Sequence, residues 1–306
     1  MPHPRGPGGT LPPTGLPSSS LDLVNRALPS PVRLAQPVAW LERAVVRAVP
    51  RGPEGGLVVD DGERVLLLGD PEVTVLASSA SPWAVAGDGS VLVGERGRVR
   101  RHPLDGPPEV LASARAPITM VAVASAGRAA WWSGGQLGWR RGDEGGSVPL
   151  EASTGRAPRL AWMGAHVLVA GGRLRHRVLR LHGDRIVGRW QLPGPVLACA
   201  GSAHVGVVLA LDLEQNHTVL GLLDPDGHVE LVPVPEALAW DGAGDRVAWV
   251  DETGVLHAVD AEGDVSSRAL PTDAAHGIGL DPSGRSACVW ERPDADAGAP
   301  VWVVAL

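Results

Sequence analysis

One short pattern recurs six times between Trp83 and Arg285: an apolar strand of small residues, a tight Gly-rich turn, then a second apolar strand. The copies read Trp83-Ala84-Val85-Ala86-Gly87, Val121-Ala122-Val123-Ala124-Ser125, Leu160-Ala161-Trp162-Met163-Gly164, Leu197-Ala198-Cys199-Ala200-Gly201, Leu238-Ala239-Trp240-Asp241-Gly242 and Gly277-Ile278-Gly279-Leu280-Asp281. Their starts lie roughly 37 to 41 residues apart, the spacing of repeated four-stranded units. One such unit cannot bury its apolar faces alone. A ring of them can, and it leaves only short strand edges. The pattern therefore predicts an all-β chain of four-stranded antiparallel blades closed into a propeller.

The unit beginning at Ala237 shows the plan most clearly. Apolar runs end at Asp241-Gly242-Ala243-Gly244-Asp245, Glu252-Thr253-Gly254 and Ala261-Glu262-Gly263-Asp264, the turn chemistry of a meander of hairpins. Similar units cover 43–78, 81–113, 117–153, 157–193 and 195–236. The last begins at Ala275 and holds only three strands, which would leave a ring with an open edge. The segment from Pro31 to Trp40 has the length and the edge-tolerant prolines to supply the missing outer strand. Seven blades closed by an N-terminal strand are expected, with six blades and a long entry segment at 43–78 as the alternative. Residues 1–30, rich in Pro, Gly and Ser, read as a flexible tail, and 31–306 as the propeller domain.

Composition removes several mechanisms. All 27 basic residues are Arg, and Lys, Phe and Tyr are absent, whereas Trp occurs 11 times. A GC-rich gene favours such a composition. No lysine Schiff base, P-loop lysine or tyrosine acid can operate in this chain. A net charge of −7 gives no general attraction to nucleic acid, and no apolar run reaches the length of a membrane span or signal peptide. Cys199 and Cys288 occupy core slots of different repeats, so they are expected to be reduced, which fits a cytoplasmic location. No G-x-S-x-G motif occurs, and His176 and His182 have no carboxylate or Cys at zinc spacing, so neither metal nor cofactor is expected.

The repeats resemble the WD40-like and YVTN-like β-propeller superfamily, over about residues 31 to 306. Asp281-Pro282-Ser283-Gly284-Arg285 resembles the family's a–b turn, and Asp224-Pro225-Asp226-Gly227 places the same chemistry at a c–d turn. Trp240-Asp241 falls in a strand a and Gly227-His228 in a c–d turn, so the Asp-His-Ser-Trp network of true WD40 repeats is not expected. The resemblance is to a degenerate bacterial propeller. It implies a non-catalytic protein-interaction scaffold whose partner has a basic segment or is an ATPase of a multi-component system. A propeller lyase or hydrolase with a His and carboxylate at the channel mouth is the alternative, with His217 and His276 as candidates.

Propellers of this kind bind at the face carrying the b–c turns and d–a connections. There the chain places Asp212, Glu214, Asn216 and His217 in blade five, and Asp251 and Glu252 in blade six. Blade seven adds Glu291, Arg292, Asp294 and Asp296. The expected partner-binding set is Asp212, Glu214, His217, Asp251, Glu252, Glu291 and Asp294, an acidic crescent suited to a basic segment. The plainer reading is that acidic residues simply populate exposed loops. His166 and His204 share a repeat position with Arg128, Arg246 and Arg285, which predicts bonding to turn backbone. Trp131, Trp162, Trp240 and Trp249 fall on core positions; Trp83, Trp132, Trp139 and Trp190 are less constrained by the pattern, and core packing is expected for most of them, an exposed one being a partner anchor.

Overall fold

A computed structural model describes residues 39–306 apart from 42–44, 52–55, 70–72, 79, 126–127, 151–157, 172–175, 273 and 293–298. Among the described residues 28 strands form seven four-stranded antiparallel sheets, and none is helical. Six sheets take consecutive strands a to d, over 47–78, 83–113, 118–149, 159–191, 196–234 and 237–269. The seventh combines Ala275–Leu280, Ser286–Glu291 and Ala299–Ala305 with an outer strand from the N-terminal end, Ala39–Leu41. That strand runs antiparallel to its neighbour, Ala39 opposite Val301 and Leu41 opposite Ala299. The remainder of the expected closing segment, and the expected tail, lie outside the described residues.

Burial explains the strand patterns. Strands near the ring axis are covered on both sides, so they read as continuous apolar runs, as in Val196–Gly201 and Gly206–Asp212. Outer strands face solvent, and Glu144–Pro149 is almost wholly exposed. The core is a series of interfaces between neighbouring blades. Ala239, Val250 and Leu256 of blade six pack on Ile278, Leu280 and Trp302 of blade seven. Cys288 and Trp290 of blade seven pack in turn on Ala48 and Val59 of blade one.

Trp fills these interfaces. Trp83, Trp132 and Trp190 are 4%, 8% and 3% exposed, the core packing expected for most of this group. Trp139 also packs against a core cluster. The physical reason is volume: with no Phe or Tyr, Trp is the only aromatic left to span the gap between two sheets. Removing one such side chain would cost about 3–5 kcal/mol.

Turn chemistry follows the residues. Asp281 Oδ1 accepts from Arg285 N at 3.1 Å and Ser283 Oγ at 2.9 Å, while Oδ2 accepts from Ser286 Oγ at 2.7 Å. Asp224 closes its c–d turn similarly, accepting from Asp226 N and His228 N. In blade six the a–b hairpin is tighter than expected, because Ala243 still pairs with Arg246. Gly244 there has φ +58, and a Cβ would sit 2.7 Å from the Pro282 carbonyl of blade seven, so only Gly fits.

Candidate partner-binding face

In each meander the a–b and c–d turns lie at one end, the b–c turns and d–a connections at the other. Neighbouring strands a surround a channel of about 730 Å3 lined by small side chains such as Ala84, Ala122, Ala161, Ala198 and Ala239. The channel is lined by these residues but not filled by them. Arg47 of blade one crosses its wall. Its Nη1 donates to the Trp83 carbonyl of blade two at 3.0 Å, and its guanidinium lies 4.7 Å from the Trp83 ring. Its Nη2 lies 3.7 Å from Asp241 of blade six, whose Oδ2 also accepts from Leu280 N of blade seven. One Arg thus links blades on both sides of its own. No repeat pattern signals this, because Arg47 has no counterpart in the other copies.

The b–c turns divide their acids between two tasks. In blade five Asp212 Oδ1 accepts from Glu214 N at 2.9 Å and Gln215 N at 3.1 Å, so it closes the turn. Asn216 takes the left-handed conformation, φ 52, and Glu214 is left exposed. His217 is half-buried and opposes Asp212 in the sheet register. In blade seven Glu291 is half-buried at the end of strand b, whereas Asp294 lies outside the described residues.

Blade six is the most elaborate. Asp251 is only 6% exposed and points into its own turn. Oδ1 accepts from Thr253 N, Thr253 Oγ1 and Val255 N at 2.9, 2.7 and 3.0 Å. Oδ2 lies 2.8 Å from His257 Nε2, and His257 Nδ1 lies 2.9 Å from Ser267 Oγ. The imidazole stacks on Trp249, ring centres 5.1 Å apart. Burial pushes the Asp251 carboxyl up, but bonds from His257, Val255 and Thr253 outweigh it and hold the group below the ordinary range. This is not the WD40 network: Trp240-Asp241 and Gly227-His228 take no part, the array comes from strands b, c and d of one blade, and Trp249 Nε1 has no hydrogen-bond partner among the described residues. Adjacency in sequence could not reveal a chain that forms across strands. Ser267 lines neither the channel nor another described cavity, so the array fixes the turn rather than facing a substrate pocket. Glu252, next to Asp251, is exposed.

Sequence reasoning missed the apolar part of this face. Leu213, at the tip of the blade-five turn, and Leu238, where the chain enters blade six, are 58% and 56% exposed. Buried Thr218 ties the two regions together, because its Oγ1 accepts from Ala237 N at 3.2 Å. Exposed Glu236 lies in the same connection. The signal was available: a Leu interrupting Asp212-Leu213-Glu214 is unusual in a polar turn.

The histidines take ordinary roles. His276 lines the channel and its Nδ1 accepts from Arg292 Nε at 3.3 Å. Among the described residues no carboxylate lies within ion-pair distance of His217 or His276, so the pair expected for a lyase or hydrolase is not formed. On the other face, Arg128 donates to the Gly164 carbonyl and Arg246 to that of Gly284, each in the next blade's a–b turn. His166 bonds to the Met163 backbone of its own turn, whereas His204 and Arg285 at the same position are exposed without a side-chain bond among the described residues, so the expectation holds in part. Cys199 and Cys288 are buried free thiols; desolvation pushes Cys199 up to about 12 and raises Cys288 as well.

No protein-family model matches the chain, and neither does any curated protein. Solved structures do match. A chain of the mitotic checkpoint complex aligns with TM-score 0.61 at 13% identity, covering 92% of this chain and 99% of that one. The WD40 β-propeller domain of Doa1 aligns at 0.57 and 13% identity, covering 88% and 96%. A streptogramin B lyase aligns at 0.55 and 11% identity, covering 87% and 95%. At such identities the likeness concerns fold alone. The chain is a seven-bladed β-propeller, a fold it shares with WD40 propeller domains.

Proposed function

We propose that this chain is a non-catalytic interaction scaffold that takes a basic segment of a protein partner on the b–c and d–a loops of blades five to seven. The observation that carries the reading is that Glu214, Glu236, Glu252, Leu213 and Leu238 are all exposed at the b–c and d–a end of blades five and six, where Thr218 Oγ1 accepts from Ala237 N. A scattered surface Leu needs no explanation, but two beside a charged rim match the apolar centre and polar edge of protein interfaces. The ring supplies a rigid mount, and loops on rigid mounts carry binding. Asp212 and Asp251 act by shaping the turns, while the neighbouring glutamates meet the partner. Glu291 and His217 flank the patch, and Asp294 belongs to the same crescent by its place in the blade-seven loop. A basic segment with one apolar side chain is the complementary ligand. The likeness to a chain from a multi-protein assembly supports the same class of function.

The test is fluorescence anisotropy with a labelled Lys-rich peptide containing one Leu. Binding should weaken steeply with added salt and fall at least roughly tenfold in a Glu214→Arg/Glu252→Arg variant. Equal binding by that variant, with an unchanged melting temperature, would remove the site from this face.

A further inference from the structure

The same face carries a second set of uncompensated charges, of opposite sign, on the far side of the channel mouth. Arg96 sits in the b–c turn of blade two, Arg98 opens its strand c, and Arg115 lies in the connection to blade three. Arg159 opens strand a of blade four and Arg177 opens its strand c. All five side chains are exposed. None has an ion-pair partner among the described residues, and only Arg177 makes a side-chain bond, a 3.4 Å contact to Gln191 Oε1. Arg64, Arg100, Arg101, Arg141 and Arg246 pair with carboxylates elsewhere, so the five of this face are among the arginines whose charge the fold itself does not use. Arg96 also has φ 44 before Gly97 at φ 81, a turn geometry that favours Asn-Gly. A guanidinium is thus held outward at a position where the backbone resists any side chain but Asn or Asp.

We propose that Arg96, Arg98, Arg115, Arg159 and Arg177 form a second docking surface, which takes an acidic peptide segment. Guanidinium pairs with carboxylate through two parallel hydrogen bonds, so an arc of Arg without Lys suits a Glu- and Asp-rich strand. A long polyanion fits less well, because Glu214, Glu236 and Glu252 repel it across the mouth and the whole chain carries −7. The inference stands apart from the acidic crescent: a Lys-rich peptide reads one half of the face and a Glu-rich peptide the other.

The experiment measures anisotropy of a labelled Glu-rich decapeptide against the full chain at low salt. The wild type should bind, with affinity falling as salt rises. An Arg96→Glu/Arg115→Glu/Arg159→Glu variant should bind at least tenfold more weakly, and the Arg→Gln version should lose less. Glu214→Arg/Glu252→Arg should bind as well as wild type or better. The proposal is overturned if the peptide does not bind, or if the triple variant binds it equally while its melting temperature is unchanged. It is also overturned if a single-stranded oligonucleotide of equal charge binds more tightly at the same arginines. Sedimentation provides the last check: a low-salt dimer abolished by the triple variant would make a second copy of the chain the occupant instead.

Discussion

The two faces of the ring use the same residue types to different ends. On the face of the a–b and c–d turns, charges bond inward and sideways. Arg101 bridges Asp88 and Glu109, Arg141 holds Glu144, and Arg246 approaches Asp260 while reaching Gly284 of the next blade. Asp281 and Asp224 are consumed by their own turns. On the opposite face Asp61, Asp212 and Asp251 each close a b–c turn, and Glu214 and Glu252 beside two of them are exposed. On the first face Arg128 and Arg246 fasten one blade to the next; the second is the one proposed above to take a partner. Closing a turn needs a short carboxylate at one position; binding needs charges that nothing else in the chain has satisfied.

The comparison presumes a closed ring, and opening it should have the largest effect. Deleting residues 1–42 removes the outer strand of blade seven and bares Ala299–Ala305. The melting temperature should drop by about 10 °C or more, whereas deletion of residues 1–20 should leave it unchanged. Equal stability of the two truncations would show that the outer strand is dispensable.

Next come the inward carboxylates. Asp281→Ala and Asp251→Ala each strand several buried donors and should cost about 2–3 kcal/mol in urea denaturation. Glu252→Ala, one residue from Asp251, should stay within about 0.5 kcal/mol. A large loss at Glu252 would erase the division of labour within the turn. Acid should narrow the gap. The Asp251 carboxyl lies below its ordinary 3.8 in the folded ring, so its stabilisation is complete above that value and is lost as pH falls through the lowered one. The stability difference between wild type and Asp251→Asn should therefore shrink from pH 5 to pH 2.5. A constant difference would mean that the charge on Asp251 contributes nothing.

A smaller effect concerns the thiols, which belong to neither face. Buried and raised in pKa, Cys199 and Cys288 should react with a thiol reagent only as fast as the ring opens. Rapid labelling at neutral pH without denaturant would show the blade interfaces to be looser than described.

Much of this was legible in the sequence because repetition does the work. The six copies reveal the four-stranded unit and its strand order, while the seventh blade rests on the segment at 43–78, and Asp281-Pro282-Ser283-Gly284-Arg285 announces a turn whose hydrogen bonds are local. Asp251 was legible as part of a b–c turn, but not as buried, since its fate depends on His257 and Ser267 arriving from two further strands. Trp83 and Trp190 were less constrained by the repeat pattern, and the inter-blade gaps show them to be core. The face itself was less legible. A repeat finds what copies share, whereas Leu213 and Arg96 depart from the other blades, and Leu238 shares its residue type with Leu160 and Leu197 but not their burial.

Hydrogen–deuterium exchange of the full chain, with and without the Lys-rich peptide, tests the central claim most directly. Protection should appear at residues 213–216, 236–238 and 252–254, while the a–b turns at 164–165, 202–205 and 282–285 exchange as before. Protection of the a–b turns, with the b–c turns of blades five and six unaffected, would contradict the assignment of the binding face.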